Sequence, residues 1–129
     1  MDRFGFGHRT GVDLNNESAG VLPKLGWNAG QEVNIPFGQG LDATMMQQVR
    51  AYAAIANGGE LVTPHVVAQI DGRPVAEQQR TRIFSKQTAA ELTTIMEEVV
   101  EGSDGTGVPA QINSYRVAGK TGTAEKVEN

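Results

Sequence analysis

The chain has no cysteine among its 129 residues. That excludes a disulfide framework, a thiolate metal site and a cysteine nucleophile together, and it leaves the redox compartment open. Aromatic side chains are scarce: one Trp, two Tyr and four Phe, 5% of the chain. No run approaches the ~18 consecutive apolar residues of a membrane-spanning helix. The opening stretch, Met1-Asp2-Arg3-Phe4-Gly5-Phe6-Gly7, lacks the apolar centre of a signal peptide. The polypeptide as written is therefore expected to stay where it is made. Positive charge is in deficit, with 11 Lys and Arg against 15 Asp and Glu, a net −4. That balance argues against nucleic acid as a partner.

Glycine is abundant, at 16 residues, well above the usual share of about 7%. The apolar fraction, 39%, is low for a well-filled core and too high for a disordered tail. By length alone the chain suggests one domain. Residues 1–43 read as loop-rich, with glycine at 5, 7, 11, 20, 26, 30, 38 and 40 and with Pro23 and Pro36. So long an irregular segment points to function or to dependence on neighbouring structure.

The spacing predicts a helix over 44–57. Thr44 and Gln47 fit a capping box. Met45, Val49, Tyr52, Ala53 and Ala56 form one apolar stripe at helical spacing, and Ala51, Ala53, Ala54 and Ala56 give strong helix propensity and a slim face for close packing. Asn57-Gly58-Gly59 ends the helix in residues that tolerate a left-handed cap. A hairpin is expected over 65–75. His65 to Ile70 would be its first strand, Asp71-Gly72 its turn, and Pro74 would confine the return strand to an edge. A second helix is expected over 86–101, with Ser85 as N-cap. Ala89, Leu92, Met96, Val99 and Val100 lie on one side, and Glu91, Glu97, Glu98 and Glu101 mostly off it, as a solvated acidic face. A glycine-rich loop, Gly102 to Gly107, follows. Tyr115 to Ala118 then reads as a strand running into Gly119-Lys120-Thr121-Gly122-Thr123, a strand over 115–123 in all.

Two opposed mechanisms use something like that last stretch. A phosphate-binding loop, Gly-x-x-x-x-Gly-Lys-[Ser/Thr], would take Gly119-Lys120-Thr121 as its end. Its opening glycine falls on Ser114, and the loop needs a helix opening at the Lys-Thr. The alternative is the Lys-Thr-Gly triplet of active-site serine enzymes, carried on a strand. There Lys120 supplies a fixed positive charge and Gly122 lets substrate approach the backbone. The Thr123 hydroxyl can bond a carboxylate, and a strand amide can help hold an oxyanion.

The surroundings favour the second reading. Ala118-Gly119-Lys120-Thr121-Gly122-Thr123-Ala124 resembles the form found in class B penicillin-binding proteins. So do Phe37-Gly38-Gln39-Gly40, the Thr44-to-Asn57 helix with Gly58-Gly59 and Pro64, and Gly105-Thr106-Gly107. Phe4-Gly5-Phe6-Gly7, Thr10-Gly11-Val12-Asp13-Leu14, and Glu17 with Gly20-Val21-Leu22-Pro23 resemble the segment after the family's second motif. These features span nearly the whole chain in order. The resemblance implies an α/β (α+β) fold of the transpeptidase and serine β-lactamase type. In this chain it would be mainly helical, with a hairpin and the Lys-Thr-Gly strand. It also implies cross-linking of peptidoglycan stem peptides through an acyl-serine, and acylation of the same serine by β-lactams. Other cell-wall synthesis or division proteins would be partners. Lys120, Thr121, Gly122 and Thr123 would bind substrate or penicillin. No cofactor is implied. The parent would be anchored in the cytoplasmic membrane with this domain outside it.

The chain departs from the family in two motifs. Its serines are Ser18, Ser85, Ser103 and Ser114, and none begins Ser-x-x-Lys or Ser-x-Asn. It is expected to be part of a transpeptidase domain, from a truncated reading frame or gene fragment. Alone it should be inactive and of poor stability, with open edges on the Lys-Thr-Gly strand. His8 and His65 have no third ligand at metal-binding spacing, so no metal is expected. Trp27 reads as a packing residue. A nucleotide-binding protein using Gly119-Lys120-Thr121 and a non-enzymatic interaction module are the competing readings.

Overall fold

The computed structural model describes residues 1–23, 26–27, 29–76 and 78–122. In chain order the elements are α1 (Ala29–Asn34), α2 (Met45–Ala56), β1 (Glu60–Val62), β2 (Gln69–Ile70), β3 (Arg73–Pro74), β4 (Arg80–Arg82) and α3 (Lys86–Glu101). Short 3-10 turns lie at Asp2–Phe4, Ile35–Phe37 and Val108–Ala110. The chain divides into two compact units, Met1–Leu22 with Asp42–Ala89, and Pro23–Leu41 with Ala90–Asn129.

In the first unit α2 begins as its sequence dictates. Thr44 is extended at the N-cap, its hydroxyl accepts the Gln47 amide, and the Gln47 side chain accepts the Thr44 amide. The helix ends at Asn57, whose φ of −95° is not left-handed; Gly58 and Gly59 carry the positive φ values instead.

The buried face of α2 takes in Ala51 and Ala54 of the slim alanine face and lies opposite the apolar stripe. Gln47, Ala51 and Ala54 are buried, while Met45, Val49, Tyr52, Ala53 and Ala56 are exposed. The reason lies in two neighbours. Ala51 and Ala54 are slim enough for β1 to lie close, and Ala54, Leu61 and Ile83 form a small core edged by Phe4 and Phe84. Gln47, for its part, uses its amide group to donate to the carbonyls of His8 and Ala19, both at 2.8 Å. A buried amide with its bonds made is tolerated, so polarity does not exclude it from the interior.

β1 pairs with β4 in antiparallel register, Glu60 opposite Arg82 and Leu61 opposite Thr81. This small sheet was not expected from the sequence. The hairpin is shorter than expected. Only Gln69–Ile70 and Arg73–Pro74 pair, around a turn in which Asp71 and Gly72 both have positive φ. His65 to Ala68 form no strand, because the Val66 and Val67 amides are taken by the Asp13 carboxylate.

The irregular start of the chain is organised by carboxylates and tight glycines. Glu17 accepts the Thr10 amide at 2.8 Å, the Thr10 hydroxyl at 2.5 Å and the Gly11 amide at 3.0 Å. Burial raises its pKa, but these bonds outweigh it and the net shift is downward. Gly20 sits where an added Cβ would lie 2.3 Å from the Asp42 carbonyl oxygen, next to the isolated bridge between Val21 and Asp42.

In the second unit, residues 29–37 are helical rather than irregular, as α1 and the following 3-10 turn. Trp27 donates its indole N–H to the Pro23 carbonyl at 3.4 Å, closing its own loop. α3 begins in the first unit, which holds its residues up to Ala89, and starts at Ser85, whose hydroxyl accepts the Thr88 amide at 3.0 Å. It buries Ala89 and Val100 on the expected side.

Candidate functional site

The glycine-rich loop after α3 folds back beneath the helix end. The Gly107 amide donates to the Val99 carbonyl at 2.8 Å, and Gly105 to that of Gly102 at 3.0 Å. A Cβ on Gly105 would lie 2.4 Å from the Val99 oxygen, so only glycine fits. This close approach explains Gly105-Thr106-Gly107 as packing. It also brings the Thr106 hydroxyl to 3.5 Å from that of Thr121.

Residues 115–122 form no strand, contrary to expectation. A strand exists through its ladder, and here the backbone groups bond α3 instead. The Gly119 amide donates to the Met96 carbonyl at 3.0 Å, and the Val117 amide to the Glu101 carboxylate at 2.8 Å. Arg116 pairs with Glu97, whose side chain is only 19% exposed. The acidic side of α3 is therefore not merely solvated, since Glu97 and Glu101 hold the segment that carries the triplet. Their signal in the sequence was an i, i+4 pair of acids on one face, which charge patterning alone reads as surface.

Beyond these anchors the triplet is presented outward. Lys120, Thr121 and Gly122 are exposed. The Lys120 ammonium donates to the Thr121 carbonyl at 2.9 Å. A Cβ on Gly122 would meet nothing within 4 Å. Thr123, the remaining expected site residue, lies outside the described residues. The hydroxyl of Thr106 is the one further polar group brought to Thr121 from a distant position among the described residues. Among the described residues no three His, Asp or Glu side chains are grouped to hold a metal ion, and no helix is long and apolar enough to cross a membrane. His8 lies 3.2 Å from Asp2 at the surface.

The sequence profile of the penicillin-binding protein transpeptidase domain matches residues 1–129. The chain belongs to this family. The penicillin-binding protein PbpB of Mycolicibacterium smegmatis is 37% identical over 139 residues, covering 98% of this chain and 21% of the relative. The peptidoglycan D,D-transpeptidase FtsI of Escherichia coli is 36% identical over 126 residues, covering 97% of this chain and 20% of FtsI. Penicillin-binding protein 3 of Mycobacterium tuberculosis, solved as its ampicillin complex, superimposes with a TM-score of 0.85 at 37% identity. That match covers 98% of this chain and 30% of the solved one. The chain thus spans about a fifth of the length of its curated relatives. Its class is α+β, with helices and two-stranded antiparallel sheets.

The penicillin-binding family match leaves the competing readings without support. A phosphate-binding loop needs a helix opening at its Lys-Thr, and Lys120 and Thr121 open none among the described residues. The interaction-module reading has no observation in its favour.

Proposed function

We propose that this chain supplies the Lys-Thr-Gly wall of an acyl-serine D,D-transpeptidase site that takes peptidoglycan stem peptides and is acylated by β-lactams. One observation carries the reading. A chain matched along its whole length to the transpeptidase domain presents Lys120-Thr121-Gly122 outward, on a segment tied to α3 at Arg116, Val117 and Gly119. Lys120 then contributes a fixed positive charge towards the substrate carboxylate. Gly122, with open space where a side chain would stand, admits a substrate backbone. Thr123 contributes a hydroxyl to the same carboxylate. Preorganised charge and donors of this kind are worth about two to three orders of magnitude in rate each.

The nucleophile and its lysine are not in this chain, because no serine begins Ser-x-x-Lys. The chain alone is therefore inactive on this reading. The working protein is membrane-anchored with this domain outside the cytoplasmic membrane, beside other wall-synthesis or division proteins; the family match supports this.

The test is a graft. This chain replaces the segment of Escherichia coli FtsI that it matches, and the product is incubated with a fluorescent penicillin. The expected result is covalent labelling, slowed about a hundredfold by Lys120→Ala, with no labelling of the isolated chain. A Lys120→Ala graft that labels as fast as the unsubstituted one sinks the assignment, and so does stoichiometric labelling of the isolated chain.

A further inference from the structure

Asn57-Gly58, at the C-terminal end of α2, is the one Asn-Gly pair in the sequence. Asparagine is a thermolabile residue, and glycine has no side chain to shield its backbone nitrogen, so this pair is the one most open to deamidation. In that reaction the Gly58 nitrogen gives up its proton and attacks the Asn57 Cγ. The new N–C bond closes a five-membered succinimide, the Cγ–Nδ2 bond breaks, and Nδ2 leaves with the proton as ammonia. Water then opens the ring at either carbonyl, leaving an aspartate or its β-linked isomer in place of Asn57.

Solvent is not what restrains the pair, since Asn57 is exposed and Gly58 only half-buried. Hydrogen bonds restrain it. The leaving nitrogen, Asn57 Nδ2, donates to the Glu60 carbonyl at 2.8 Å, and the Asn57 Oδ1 accepts the Glu60 amide at 3.0 Å. One residue thus grips the side chain by both of its polar atoms. The attacking group is held as well. The Gly58 amide donates its proton to the Ile55 carbonyl at 3.2 Å, and Arg82 donates to the Gly58 carbonyl at 2.9 Å. Ring closure also needs the Gly58 nitrogen eclipsed with the Asn57 Cβ. At the Asn57 ψ of 13° it points away from the side chain instead. The reaction therefore needs the cap to open first.

The product does not fit the closed cap. An aspartate has no N–H for the Glu60 carbonyl, and its charge would stand at the negative end of the helix dipole, beside Glu60. The β-linked isomer lengthens the main chain by one carbon just before Gly59. There even an added Cβ would lie 2.3 Å from the Phe84 carbonyl oxygen.

We infer that Asn57 is a deamidation site latched by its own helix cap. The closed cap blocks the reaction, opening of the end of α2 permits it, and the product keeps the cap from closing again. A chain whose junction between α2, β1 and β4 has opened is thereby marked covalently. This is independent of the proposed function.

The test follows Asn57 by peptide mass spectrometry and the Gly58 amide by hydrogen exchange, on the same full chain in mildly alkaline buffer and in concentrated urea. Deamidation is expected to be at least about tenfold slower in buffer, by a factor within about threefold of the Gly58 protection factor. Gly59→Ala strains the junction and leaves the pair itself intact. It is expected to speed Gly58 exchange and Asn57 deamidation together, by about fivefold or more. Arg82→Ala, which removes the donor to the Gly58 carbonyl, should move both in the same direction. If neither variant folds, a urea series below the unfolding midpoint makes the same comparison. Equal deamidation in buffer and urea overturns the inference, and so does a Gly58 amide without protection. Exchange that accelerates while deamidation stays constant overturns it too. Deamidated chain that regains Gly58 protection on removal of urea would refute the one-way latch.

Discussion

Asp13 accepts the Val66 amide at 2.7 Å across 53 residues of sequence, and its second oxygen takes the neighbouring Val67 amide at 2.9 Å. Two consecutive amides on one carboxylate act as a clamp between the first loop and the segment after Pro64. Charge-assisted bonds of this kind favour the ionised acid, and those from Val67 and Val66 hold the Asp13 pKa below the ordinary carboxylate range. A depressed pKa in the folded chain means that the clamp contributes fully above the ordinary Asp value. The contribution is lost as pH falls through the lower folded value. An NMR titration is expected to show the Val66 and Val67 amide signals moving together, with a midpoint below that of a free aspartate. Asp13→Ala should abolish that titration, and an unchanged response in Asp13→Ala would remove the clamp from the account.

Gln47 is 1% exposed and joins α2 to two loops through the His8 and Ala19 carbonyls. Replacing it with Ala removes both donors and half of the capping box. Each unmade buried bond and each lost cap costs on the order of 1 kcal/mol or more. Gln47→Ala is expected to destabilise the chain by about 2–4 kcal/mol in urea unfolding. Gln47→Glu should not rescue it, because a carboxylate cannot donate to those carbonyls.

Gly59 has a φ of +97°, and an added Cβ would lie 2.3 Å from the Phe84 carbonyl oxygen. Its own carbonyl accepts the Ile83 amide at 2.9 Å, so this junction joins the end of α2 to β4 and the core. Gly59→Ala combines positive-φ strain with a clash against backbone that cannot move aside. The expected loss exceeds about 1 kcal/mol, whereas Gly72→Ala meets no atom within 4 Å and loses only through its backbone conformation. The comparison of the two urea midpoints separates steric from conformational cost.

Glu101 holds the Val117 amide two residues before Gly119. Glu101→Ala is expected to raise hydrogen exchange at Val117 about tenfold, with α3 amides unaffected. Glu101→Gln keeps an acceptor oxygen and should restore protection. Failure of the glutamine to rescue would assign the effect to helix charge, not to the bond.

Local grammar was legible from the residues alone. The capping box at Thr44 and Gln47, the Ser85 cap and the positive-φ turn at Asp71-Gly72 each depend on neighbours a few residues apart. The glycine spacing and the Gly119-to-Thr123 motif were equally readable. β1 and β4 were not, because Arg80-Thr81-Arg82 has no strand pattern of its own. Its reason for pairing is distant, with Glu60 opposite Arg82 and a bond between them at 2.7 Å. The candidate site was legible as residue types, with Lys120, Thr121 and Gly122 where a triplet was expected. Its anchors at Glu97 and Glu101 were not.

The sequence by itself determined where α2 and α3 begin and end, though not α1, and which chemistry the Lys-Thr-Gly stretch can bear, since those follow from short-range hydrogen bonds and side-chain type. Only the tertiary structure decided which face of α2 is covered. An apolar stripe states that a partner is wanted, and the partner that β1 found was the slim Ala51 and Ala54 side. The same holds for residues 115–119. Their alternation suited a strand, but backbone groups bond whatever acceptors lie nearest, and here those were the Met96 carbonyl and the Glu101 carboxylate.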